Sequence, residues 1–512
     1  MNKMKLGNVV ALAIFLSAAI PAAFAQSNAK SEIITDQVQL AKLKATVEAS
    51  PDSPKVHQAY IKAMGTENSE LEKQYKVWMD KYPTSAMVPY SIAKAYLDHE
   101  SPKAKPYLLK AVAIDPKFAA AWEGLWADGQ RWGDFKLSAS YLAKAAAADP
   151  SNPYYAFYYA TSFKGTNEAK WREMSLDVAR CFPAHDRGAQ ALYWLAIDSK
   201  KTADKLKYFE LLHNSYAPEK FNWSASGMSL YFNILLAEDP QKAVVVAQEM
   251  AKNENSEKKE WPAFVLQAQT VAKAKMLMDQ KNGAEALAVL NQLKLSKYSQ
   301  FKTDLVLLKA KANDLAGNTK AAYDSLTVTF AKSPAVALKT AISGYGTKLG
   351  KSESAINADI WERLDAVSTA ATPFTLKRYL TPGEASLSDY KGKVVLLTYW
   401  FPGCGPCRGE FPHFENVVKK FKGQDLEYLG INLASDQNDY VIPFMKNSGY
   451  SFTPLEDVKG RAKGNMENRN LAPANFMIDK EGRLVFSWFR TNGNNEDDLE
   501  LMINLLLNKK KA

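Results

Sequence analysis

Trp400-Phe401-Pro402-Gly403-Cys404-Gly405-Pro406-Cys407-Arg408-Gly409-Glu410-Phe411-Pro412 decides how the carboxy-terminal part of this 512-residue chain folds. Before it, Lys393-Val394-Val395-Leu396-Leu397-Thr398-Tyr399 is a continuous apolar run of strand-forming residues; after it, Phe414, Val417, Val418 and Phe421 recur at helical spacing. The pattern predicts a buried strand, a tight turn and a helix. Cys404 then falls at the helix N-terminus, where unpaired N–H groups and the positive end of the macrodipole stabilise a thiolate, and Cys407 is shielded one turn further in. Two such thiols suit disulfide exchange, the first attacking a disulfide and the second resolving the mixed disulfide. Glu410 follows Cys407 by one helical turn and shares its face.

The rest of this region alternates in the same way. Strands are expected near 393–400, 426–432, 475–479 and 484–489, and helices near 406–421, 439–448 and 496–507, with Lys480-Glu481-Gly482 as a hairpin turn. Other uses of a Cys-x-x-Cys pair fit less well. Zinc needs four ligands, and His413 alone does not complete a set. Haem attachment needs a histidine where Arg408 stands. A structural disulfide across so short a loop would constrain little, and a peroxidase lacks its threonine-to-cysteine spacing.

These residues, together with Thr372-Pro373-Phe374-Thr375-Leu376, Leu387-Ser388-Asp389-Tyr390-Lys391-Gly392-Lys393 and Leu471-Ala472-Pro473-Ala474-Asn475-Phe476-Met477-Ile478-Asp479, resemble the thioredoxin-like proteins, and among them the secreted disulfide reductases of the TlpA/ResA type. The resemblance spans roughly 370–512, and Tyr440 to Gly449 followed by Phe452-Thr453-Pro454-Leu455 resembles the extra helix and strand of that branch. It implies an α/β thioredoxin-like domain with a Cys404–Cys407 redox disulfide and no cofactor. Glu410 would handle protons beside Cys407, and a cis Pro473 would face the dithiol and align the substrate backbone. Trp400, Gly403, Pro406 and Ala472 would line the substrate site. The implied partners are a disulfide-bearing protein substrate and a membrane thiol donor. Gly405-Pro406, the intervening pair of thioredoxin itself, favours a reductase. Three departures stand out: Gly403 and Pro402 where tryptophan usually precedes the first cysteine, Thr398 where thioredoxin has a buried aspartate, and Asn475 in place of a commoner threonine.

From about Leu40 to Ala366 the pattern is helical and repeats. Pro51, Pro83, Pro116, Pro150, Pro183 and Pro218 recur at a spacing near 34, the tetratricopeptide period. Trp122, Leu125, Gly133, Leu142, Ala145 and Asp149-Pro150 resemble one unit of that repeat, Ala104, Leu108, Ala111 and Asp115-Pro116 its predecessor, and Gly317, Ala322, Leu326 and Pro334 a later one, with Gly283 placed like Gly317. Such stacks bury a continuous core and leave a face for a peptide or protein ligand; Tyr154, Tyr155, Tyr158 and Tyr159 either line that face or pack between helices. Lys252 to Glu260 reads as a polar loop.

Residues 1–25, with Lys3 and Lys5, an apolar stretch and Ala23-Phe24-Ala25, read as a secretory signal cut after Ala25, giving a periplasmic or otherwise exported protein. No cysteine follows the cut to carry a lipid. The net charge is +10, or +8 without the two lysines of the leader, and its basic residues are dispersed among acidic ones, which argues against nucleic-acid binding. Only Cys181, Cys404 and Cys407 occur, so cysteine serves chemistry rather than stapling. Cys181 is expected to be a buried apolar residue, and Lys509-Lys510-Lys511 a frayed tail. The expected architecture is multidomain: a leader (1–25), an all-α tetratricopeptide-like repeat (26–367) and a thioredoxin-like domain (368–512). The expected activity is disulfide reduction; an oxidase or isomerase and a redox-regulated binding scaffold are the alternatives.

Overall fold

The computed structural model describes residues 36–252, 260–295 and 299–509, so the leader, the polar loop from 253 to 259 and the last lysines lie outside the described residues. The helices run α1 (Gln37–Ala49), α2 (Pro54–Met64), α3 (Ser69–Lys81), α4 (Met87–Asp98), α5 (Ala104–Ile114), α6 (Ala119–Arg131), α7 (Phe135–Ala148), α8 (Pro153–Thr161), α9 (Glu168–Cys181) and α10 (Asp186–Asp198). They continue as α11 (Thr202–Ser215), α12 (Asn222–Glu238), α13 (Pro240–Lys252), α14 (Trp261–Asp279), α15 (Gly283–Asn291), α16 (Lys302–Leu315), α17 (Thr319–Lys332), α18 (Val336–Lys348) and α19 (Glu353–Val367). Pro51, Pro83, Pro116, Pro150 and Pro183 each follow the residue that caps a helix C-terminus, where a missing N–H and a fixed φ stop the helix at no further cost. The small and apolar positions of the repeats are inside: Ala104, Leu108, Ala111, Leu142, Ala145, Ala322 and Leu326 are all at most 1% exposed. Trp122 turns its indole N–H to the Pro116 carbonyl at 2.8 Å, tying one hairpin to the turn before it.

The turns inside the hairpins use a residue of positive φ between the two helices, among them Gly65, Gly133, Gly317 and Gly350. Between α14 and α15 this place is taken by Lys281 (φ 60°), not by Gly283, which is the first residue of α15. Gly283 is required for a different reason: a Cβ there would meet the Ala312 carbonyl oxygen of α16 at 2.5 Å. Cys181 is also not where the sequence placed it. It ends α9 and is exposed, because the apolar stripe of that helix runs through Trp171, Ser175 and Val178 and leaves the last turn outside. The aromatics of α8 pack between helices, Tyr155 and Tyr158 buried, with the Arg187 guanidinium 4.9 Å from the Tyr154 ring centre and 5.2 Å from that of Tyr158.

The helical pattern ends at Val367, and strands follow: β1 (Thr369–Ala370), β2 (Thr375–Lys377), β3 (Glu384–Ser386), β4 (Val394–Trp400), β5 (Leu426–Asn432), β6 (Thr453–Glu456), β7 (Ala474–Ile478) and β8 (Arg483–Phe489). Six form one sheet in the order β1-β8-β7-β4-β5-β6, and β2 pairs with β3 outside it. The central β4, flanked by parallel β5 and antiparallel β7, is buried along its whole length, which is why it reads as an unbroken apolar run. Helices α20 (Gly405–Val418), α21 (Asn438–Ser448) and α22 (Glu496–Leu507) complete this part. Strands β1 to β3 are too short and too exposed to show a sequence period.

The helical array rests on this α/β unit through the ends of its hairpins. Trp132 meets Tyr440 with ring centres 5.0 Å apart, and Asn447 donates to the Trp132 carbonyl at 2.8 Å. Gly133 lies so close to α21 that a Cβ would come within 2.7 Å of the Phe444 carbonyl oxygen. At the far end Trp361 donates to the Leu505 carbonyl at 3.2 Å, and Asp498 accepts the Val336 N–H at 2.8 Å. Lys509, expected in a frayed tail, is held by Asp365 and is only 13% exposed.

Candidate active site

β4 delivers the chain to Trp400 at the centre of the sheet, and the turn after it ends in Cys404, the N-cap of α20. A cap side chain satisfies one of the unpaired donors of the first turn, and here that acceptor is sulfur: the Cys407 N–H points at Cys404 Sγ from 3.2 Å. Cys404 and Cys407 are joined in a disulfide with their Cα atoms 5.3 Å apart. Pro406 sits in the first helical turn, where no N–H is lost from the ladder. Both sulfurs are inside, Cys407 wholly and Cys404 at 3% exposure, so the expected contrast between an open and a shielded thiol is absent in this conformation.

One flank of the dithiol is a buried polar chain belonging to the α/β unit. The Thr398 hydroxyl donates to Asn475 Oδ1 at 2.9 Å, and Asn475 Nδ2 donates to Glu410 Oε2 at 2.8 Å and to the Phe489 carbonyl at 2.9 Å. Glu410 Oε1 faces Arg490 and the Thr491 N–H, each at 3.4 Å. Burial pushes the Glu410 carboxyl above its ordinary pKa, and the Arg490 charge and the Asn475 bond only partly offset it. A carboxyl shifted upward one helical turn from a thiol is suited to hold and pass a proton. Asn475, which the sequence offered only as a departure, is therefore the residue that aims Glu410, and Thr398 in turn orients Asn475.

The other flank is shared with the helical array. Gln437, 3% exposed, accepts the Gly403 N–H at 2.6 Å, and its amide donates to Glu100 of the α4–α5 turn. Arg131, at the end of α6, approaches Glu100 at 3.4 Å, and Arg408 donates to the Pro402 carbonyl at 2.9 Å, closing the loop before Cys404. Nothing in the spacing of Glu100 or Arg131 signals this role, because they lie about 300 residues from the dithiol in sequence.

The Ala472–Pro473 peptide is cis, and Pro473 is buried with Ala472 half-buried beside it. Gly403 and Pro406 are half-buried. Trp400 has no exposed surface and cannot touch a substrate in this conformation. Phe444 of α21 and Phe452 beside β6 cover it, with ring centres 5.2 and 4.9 Å away, so it packs as part of the floor beneath the dithiol. His413 is engaged with Glu496 at 2.6 Å.

The AhpC/TSA family matches residues 367–487. Over 119 residues the chain is 33% identical to the thiol-disulfide oxidoreductase ResA of Geobacillus kaustophilus, covering 23% of this chain and 67% of the relative. The chain belongs to the ResA-type thiol-disulfide oxidoreductases. It is also 36% identical over 99 residues to ResA of Bacillus subtilis, covering 19% of this chain and 54% of that protein. It thus spans between about half and two thirds of the length of these curated relatives, and residues 367–487, which match the AhpC/TSA family, hold the dithiol, Glu410 and Pro473. Among solved structures, the thioredoxin domain of a thiol-disulfide oxidoreductase from Bacteroides vulgatus is 25% identical, with 27% of this chain and 96% of that one covered and a TM-score of 0.24.

Proposed function

We propose that the protein reduces disulfides in exported protein substrates through Cys404 and Cys407. The observation that carries this reading is the placement of Cys404 as N-cap of α20, bonded to Cys407 and bordered by the buried Glu410. In the reduced enzyme the Cys404 thiolate attacks one sulfur of a substrate disulfide; that S–S bond breaks, a mixed disulfide forms and the leaving thiolate takes a proton. Cys407, losing its proton toward Glu410, then attacks Cys404 Sγ and releases the second substrate thiol. Two electrons have passed to the substrate and the enzyme is left in the disulfide form. A membrane dithiol donor restores it. Pro473 aligns the substrate backbone, with Gly403, Pro406 and Ala472 beside it.

The leader expected in residues 1–25 supports export, and the proline spacing with the buried small residues supports reading residues 26–367 as a tetratricopeptide-like repeat and 368–512 as a thioredoxin-like domain. Equilibration of the Cys404/Cys407 pair with glutathione or dithiothreitol tests the direction. A potential near −270 mV supports the reductase; one near −120 mV makes the protein an oxidant and removes it.

A further inference from the structure

Beside the nucleophile stands Gly403, and the space that its missing side chain leaves is filled by Gln437 and by Glu100 of the helical array. A Cβ at Gly403 would stand 2.9 Å from Gln437 Oε1 and 3.1 Å from Glu100 Oε2, so any larger residue there would displace both. Glu100 itself is held at φ 52°, in the left-handed region that the corresponding turns of the array fill with Gly65, Gly133, Gly317 and Gly350. A side chain at such a position is strained, and it persists where the surroundings over-determine it. Here the carboxylate is fixed at both oxygens, by Gln437 on the α/β side and Arg131 on its own. Exchange requires an incoming sulfur in line with the bond it breaks, and Cys404 is 3% exposed.

We propose that Glu100 is a positioning residue of the dithiol site: through Gln437 it fixes the Gly403 backbone and latches the helical array over Cys404, and release of this latch admits a protein disulfide. The proposal rests on the exchange reading for its substrate, but the latch can be read without it. It assigns the array a task at the reacting sulfur, beyond collecting partners at a distance.

The test uses the mature, reduced full chain and a bulky maleimide, with the adduct at Cys404 quantified against that at Cys181, which is exposed and serves as internal reference. Glu100→Gly and Glu100→Ala remove a hydrogen bond to a charged group and should speed Cys404 labelling by about tenfold relative to Cys181. Glu100→Gly relaxes the backbone, so its melting temperature should not fall; a merely structural Glu100 would give the same labelling ratio as the parent in that variant. Glu100→Gln keeps an oxygen for the Gln437 amide and should return the ratio most of the way to the parent value. The same Glu100→Gly change should raise kcat/KM for a protein disulfide more than for glutathione disulfide. Labelling ratios unchanged in both Glu100→Gly and Glu100→Ala overturn the latch. If the parent and variants exchange with neither disulfide, the reductase reading fails, while the labelling ratio still decides whether Glu100 closes the site.

Discussion

The two flanks of the dithiol are built on opposite principles. On the Glu410 side every group belongs to the α/β unit, and Thr398, Asn475, Glu410 and the Phe489 carbonyl, from β4, β7, α20 and β8, form a buried chain of hydrogen bonds of 2.8–2.9 Å. On the Gln437 side the chain of contacts leaves that unit and ends on the turns of a helical array, where it meets charged groups and the half-buried edge of α21. A buried, satisfied network specifies one geometry, because leaving any member unpaired is costly. The array and the α/β unit share one apolar core through α16–α19, but the contact at Glu100 is polar and part-exposed and opens at less cost. The chemistry is therefore fixed on the first flank, and access to it is set on the second.

The largest effect should come from the sulfurs common to both flanks. Cys404→Ser should lower disulfide reduction by on the order of 10³ or more in an insulin assay, and Cys407→Ser should leave a stable mixed disulfide visible by mass spectrometry. Next comes the fixed flank. Asn475→Ala strands the Glu410 carboxyl and the Thr398 hydroxyl, and should cost about 1–3 kcal/mol in urea unfolding. Glu410→Gln should change the pH profile of exchange; an unchanged profile would take the proton role from Glu410. Because the folded pKa of Glu410 is raised, its ionisation opposes folding above the unfolded value and has no effect in acid. Glu410→Gln should accordingly be neutral near pH 4 and stabilising near pH 8.

The movable flank should answer more weakly. Gly133→Ala places a methyl within 2.7 Å of the Phe444 carbonyl at a residue with φ 69°, and should lower stability by about 1–2 kcal/mol while exposing Cys404 to labelling. The smallest effect belongs to Asp128, whose carboxyl accepts from the Tyr440 hydroxyl at 3.2 Å and is pushed up to about 6 by burial, against the pull of Arg131 and Lys105. A raised acid opposes folding once it ionises, so this carboxyl should cost stability in urea unfolding as the pH rises from about 4 to 8. Asp128→Asn should flatten that dependence of stability on pH.

Much of this was legible in the chain. The apolar run into Trp400, the spacing of Cys404, Cys407 and Glu410 and the recurring prolines each express a local rule, of strand burial, helix capping or helix termination, that acts within a few residues. Where the expectation differs from the structure, the cause is a neighbour from another element for Trp400 and the phase of its own helix for Cys181. Trp400 was expected at the substrate and is covered by Phe444 and Phe452; Cys181 was expected inside and lies at an exposed helix end. Asn475 gave a signal only as an unusual residue after Pro473.

Sequence alone determined the helices, the longer strands and the reactive pair, because their placement follows from periodicity and from end effects of a single helix. Tertiary structure alone decided what surrounds that pair. The contact between Glu100 and Gln437 joins residues 337 positions apart, and no local propensity encodes a meeting that depends on how the ends of successive hairpins settle against α21.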